Sequence, residues 1–133
     1  MIKQRAWVAA LVAVMIASVN APAQPPKTAE PTGPVSYYRD VRPIFAQHCN
    51  GCHQPAKAQG GYIMTSYAAL LEVSETGSPG VVPGSPEKSA LIEQIKIHPN
   101  GKAEMPKGRD PLAPAQIKLI TDWIAQGAKD DTP

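Results

Sequence analysis

Beyond residue 36 the chain is cut by three Gly/Pro-rich stretches, 54–64, 74–84 and 98–113, into four short segments of helical spacing. Helices of so few turns are marginal in water on their own, so each segment has to gain stability by packing on the others. The material for that packing is scarce. After residue 23 only 19 Leu, Ile, Val and Phe remain in 110 residues, about 17%, below the ~20% under which chains tend to disorder. Disorder usually also needs high net charge, and here 11 Lys+Arg face 11 Asp+Glu over the same stretch. A near-neutral chain poor in core residues reads as one small domain, with something other than side chains filling its centre. The balanced charge gives no electrostatic case for nucleic acid.

The first residues read as an address. Lys3 and Arg5 form a positive n-region, residues 6–19 are an uncharged apolar run, and Ala21-Pro22-Ala23 supplies small residues at a cleavage point. That order predicts a secretory signal peptide over 1–23. As a helix the run reaches ~21 Å, short of a ~30 Å hydrocarbon core; no stable transmembrane span is expected after cleavage. Export places the chain in the periplasm or another oxidising compartment. Residues 24–36 hold four prolines and read as a Pro-rich linker. The folded domain is expected over 37–128, with 129–133 a polar, frayed tail.

The spacing predicts an all-α fold: about four short helices and long Gly/Pro-rich loops. The first helix is expected over 41–52, with Val41, Ile44, Phe45, Cys49 and Cys52 on one face and Asp40 as its N-cap. The second covers 66–73. The third follows Ser85-Pro86 and runs to about residue 97. The fourth follows Pro114 and runs to residue 126, with Gly127 as its stop. No run alternates convincingly as a strand.

The two cysteines of the chain stand in Cys49-Asn50-Gly51-Cys52-His53. Cys-x-x-Cys-His is the attachment signature of a c-type haem. Two cysteines three apart on a helical turn point the same way, so both sulfurs reach the vinyl groups on one porphyrin edge, and His53 then lies beneath the iron as an axial ligand. The competing readings are weaker. A thioredoxin-like redox pair expects a βαβ context, which the pattern lacks. Zinc held with His53 and His98 expects two separated ligand pairs.

The second axial ligand is less constrained. Met105 lies in a polar loop, Gly101-Lys102-Ala103-Glu104-Met105-Pro106-Lys107-Gly108, where a thioether is hard to explain as core, and it is the favoured candidate. His98, Met64 and an open site stay as alternatives. Met64 is only 11 residues past His53 and fits a core role, and His48 adjoins the attachment turn on the wrong side. The expected site is therefore one covalently attached haem c held by Cys49, Cys52, His53 and Met105. His53 and Met105 are its metal ligands, and no catalytic residue is expected.

In these residues the chain resembles a class I cytochrome c. It is more closely similar to the planctomycete-type cytochrome c domain family. The matching stretches are Asp40-Val41-Arg42-Pro43-Ile44 with the Cys-x-x-Cys-His, the run from Val82-Pro83-Gly84-Ser85-Pro86 to Leu91, Met105-Pro106, and Trp123-Ile124-Ala125-Gln126-Gly127-Ala128. The family often has a second proline where this chain has Lys107. The resemblance implies a covalent haem, electron transfer without catalysis of its own, redox partner proteins of unspecified identity, and Phe45 packed against Trp123. Two rival functions fit the same motif: a haem-based small-ligand sensor with an open or displaceable sixth site, and an electron-transfer subunit of a periplasmic oxidoreductase complex. Lys57, Lys102, Lys107 and Arg109 flank the expected haem loops; at balanced charge they read as solvated surface before a docking rim.

Overall fold

A computed structural model describes residues 33–133 except Thr76. The expected signal segment 1–23 and linker residues 24–32 lie outside the described residues. Residues just ahead of the expected boundary are packed into the domain. Val35 and Ser36 are buried, and the Val35 amide donates to Gln126 Oε1 at 2.8 Å. Ser36 then starts the helical run. Its hydroxyl accepts from the Arg39 amide at 3.0 Å, and its own amide donates to Asp40 Oδ2 at 2.9 Å, satisfying two groups at once. Asp40 is therefore not the N-cap; it sits four residues past the cap and closes the reciprocal pair.

A wide, π-type turn, Tyr37–Val41, leads directly into α1, Arg42–His48. The helix stops four residues short of the expected end. The Cys49 and Asn50 amides both donate to Phe45 O, each at 2.9 Å, which closes the last turn and leaves no carbonyl ladder to extend. The chain then doubles back through β1, His53–Gln54, paired antiparallel with β2, Lys57–Ala58. This hairpin corrects the strictly all-α expectation. The fold is small and mostly helical, with a two-stranded sheet. Strands of two residues carry no readable alternation, and Pro55-Ala56 forces the chain back immediately after the His53 turn.

Helix α2, Tyr67–Leu70, is capped by Ser66, the first residue of the expected segment, whose side chain accepts from the Ala69 amide at 3.4 Å. It ends at Leu70, short of residue 73. The third expected helix is split. A single 3-10 turn, Pro86–Lys88, gives way at extended Ser89 to α3, Ala90–Ile95. Ser89 breaks the run because its hydroxyl is taken by the preceding turn: it donates to Ser85 O at 3.0 Å and accepts from the Val82 amide at 2.9 Å.

Helix α4, Pro114–Ala125, closes the fold close to the expected bounds. Gly127, at φ 98°, supplies the left-handed residue that ends it, and Ala128 donates to Trp123 O at 2.8 Å while Gly127 donates to Ile124 O at 2.9 Å. Trp123 sits at the centre of the core. Its ring stacks on Tyr37 at 5.3 Å and meets Phe45 edge-on at 6.4 Å, as the resemblance implied. The tail is held rather than frayed: Trp123 Nε1–H donates to Lys129 O at 3.0 Å, and the Tyr38 amide donates to Asp131 Oδ1 at 2.8 Å.

Candidate functional site

The Cys-x-x-Cys-His segment is a turn built on one carbonyl. Cys49 O accepts from both the Cys52 and the His53 amides, each at 3.0 Å. Turned so that its amide nitrogen rather than its oxygen faces the two carbonyls, Asn50 donates to Phe45 O at 3.3 Å and Met64 O at 3.2 Å, tying the turn to the helix behind it and to the 62–64 segment beside it. Cys49 is the half-buried C-cap of α1 and Cys52 is exposed; both are free thiols. Burial pushes the Cys49 thiol up to about 11, so it is a poor thiolate at neutral pH. That argues against a thioredoxin-like pair, which needs a lowered value. Among the described residues no three His, Cys, Asp or Glu side chains gather into a metal-binding group, so the zinc arrangement with His98 is not formed.

His53 is half-buried on β1, and its Nδ1 lies 3.0 Å from Tyr62 O. A carbonyl can only accept, so Nδ1 carries the proton and Nε2 is left as the ligand atom. Among the described residues no hydrogen bond occupies Nε2. This is the arrangement that orients and strengthens an axial imidazole. Tyr62 is the residue that sequence reasoning missed. Its contribution comes through a backbone oxygen, which has no side-chain signature. Its phenol in turn donates to Leu70 O at 2.8 Å, and burial raises its pKa.

The alternative ligands fall in different places. Met64 is buried in the core and its amide donates to His53 O at 2.8 Å, which puts it beside the imidazole's own strand. His48 Nε2 faces Gln116 Nε2 at 3.5 Å. His98 is bound into a tight turn, its amide donating to Lys102 O and its carbonyl accepting from Gly101, both at 2.8 Å. Met105 is half-buried, and its amide donates to Gln94 O at 2.8 Å, fastening its loop to α3. The structure thus gathers Cys49, Cys52 and His53 within one turn and places Met105 on a separate loop beside α3. A recess of about 340 Å³ lined by Ile92, Ile97, Pro114 and Ile117 with Lys96 and Lys118 includes none of these four residues.

The donor set suits a c-type haem: two free thiols in one turn, followed by an imidazole whose outer nitrogen alone is available. A small, mostly helical shell carrying such a turn is the architecture of a c-type cytochrome module. Sequence comparison narrows the class. The family model of planctomycete cytochrome C matches the chain over residues 49–108. Cytochrome c domains hold haem c and typically transfer electrons rather than catalyse reactions. No curated protein and no solved structure matches the chain. Among the described residues no helix is long and apolar enough to cross a membrane.

Proposed function

We propose that the protein is an exported monohaem electron carrier with His53 and Met105 as axial ligands. The observation that carries this reading is the 3.0 Å bond from His53 Nδ1 to Tyr62 O, which commits the imidazole to present Nε2. Haem c, when bound, supplies a one-electron couple at its iron. Cys49 and Cys52 would hold it through thioethers, each thiol supplying its sulfur to one vinyl carbon and its hydrogen to the next. Tyr62 O keeps the Nδ1 proton in place and raises the donor strength of Nε2. Met105 is favoured as the sixth ligand because it stands half-buried at the edge of the core on a loop fastened to Gln94, whereas Met64 is buried within the core. A His/Met pair raises the potential above that of a pair of histidines. The partner is a redox protein, and the exposed cations Lys57, Lys102, Lys107 and Arg109 would tune the rate of encounter more than affinity.

The visible spectrum of the oxidised holoprotein tests the ligand set. It should carry a sulfur-to-iron charge-transfer band at the red end, and Met105→Ala should abolish that band while covalent haem is retained. A band that survives Met105→Ala, or a high-spin wild-type spectrum, would assign the sixth position to another group or leave it open for a small ligand.

A further inference from the structure

We propose that the Tyr62 side chain is a positioning residue for the His53 imidazole, held by an interlock between residues 59–64 and the 72–80 loop. The inference rests on reading His53 as a haem ligand. The direction of the Nδ1–H···O bond follows the plane of the Tyr62 peptide, and several contacts pin that plane. The phenol donates to Leu70 O at 2.8 Å, across the chain at the end of α2. The ring lies against buried Gly80, in the space that a Cβ at that position would take. Two residues further on, the Met64 amide donates to His53 O at 2.8 Å, so the 62–64 segment is held on both sides of the carbonyl.

The contact is reciprocal. Glu75, on the second loop, lies over Gly61 and donates its amide to Gly60 O at 3.2 Å. Each segment thus offers a glycine where the other lays a side chain. A tyrosine used only as core filling would need a partner for its hydroxyl and nothing more. Tyr62 instead joins a side chain anchored on α2 to the carbonyl that faces the imidazole. A firm bond to Nδ1–H gives the imidazole more basic character, which favours the oxidised iron and lowers the potential. Releasing the phenol from Leu70 O should therefore loosen that bond and raise the potential.

The test compares two holoprotein variants that each lose one phenol hydrogen bond to a backbone carbonyl. Tyr62→Phe loses the bond to Leu70 O, and Tyr67→Phe loses the bond to Ala128 O, also 2.8 Å. Midpoint potential and the proton NMR shifts of the haem ring methyls in the oxidised state are measured; the methyl shifts report the orientation of the axial imidazole plane. Tyr62→Phe should raise the potential and redistribute the methyl shifts. Tyr67→Phe should leave both at wild-type values, whatever each variant does to Tm. A Tyr62→Phe holoprotein with wild-type potential and methyl shifts would overturn the positioning role. Oxidised wild-type holoprotein in which no hyperfine-shifted resonance belongs to the His53 imidazole would overturn the ligand reading itself, and the interlock's role with it.

Discussion

The two ends of α1 are held by different means. At the N-terminal end Tyr37, Phe45 and Trp123 are packed ring on ring, and Tyr67 adds an edge contact to Trp123 at 6.5 Å. Trp123 is 1% exposed there, and dispersion with apolar burial does the holding. At the C-terminal end the chain from Cys49 to Gly61 is mostly exposed and is held by backbone hydrogen bonds around the Cys49 and Phe45 carbonyls. Backbone bonds in contact with water contribute little net stability. The first region is complete as protein. The second leaves its side chains largely in solvent, and this is where the scarcity of apolar residues is located.

The comparison breaks most visibly if the attachment cysteines are removed. Cys49→Ala/Cys52→Ala should lose essentially all covalent haem, measured as pyridine haemochrome, and its far-UV circular dichroism should show most helix content gone. Native helix content in that variant would mean that the turn region stands without its group. Next in size is Trp123→Ala, which should cost ~3–5 kcal/mol in denaturant unfolding of the holoprotein, the range for emptying a buried aromatic site. A loss near zero would deny the aromatic region its role.

Smaller effects sharpen the picture at the edges. Ser36→Ala removes the acceptor for the Arg39 amide and should cost ~1 kcal/mol, as for other N-cap losses. Asp131 is exposed, and hydrogen bonds from Ser36 and the Tyr38 amide hold its carboxyl below the ordinary range. A depressed folded value means that its contribution is present above the unfolded pKa and fades as pH falls through the folded one. Asp131→Asn should therefore slightly flatten the acid arm of the Tm–pH profile and leave neutral pH nearly unchanged. An unaltered acid arm would show that the tail bond contributes nothing.

Legibility in the sequence followed the same division. Where side chains carry the structure, it could be read. The apolar spacing of Ile117, Ile120, Trp123 and Ile124 located α4, Gly127 its end, and Ser66 the start of α2. Where backbone groups carry it, reading failed. The His53–Ala58 hairpin, the early stop of α1 at a shared Phe45 carbonyl and the Tyr62 acceptor all depend on peptide atoms common to every residue. Ser36 was missed for another reason: it lies inside a proline-rich stretch that reads as linker, and its partner Asp40 is one residue further on than the usual reciprocal pair. The Cys-x-x-Cys-His spelling was readable throughout, because the chemistry of thioether attachment fixes both spacing and residue type.

The central claim is that a haem becomes part of this chain through Cys49 and Cys52. The intact mass of protein produced with c-type cytochrome maturation, taken under denaturing conditions, tests it directly. The mass should equal that of the processed chain plus one haem. A mass equal to the chain alone, with both thiols free to alkylate, would contradict it.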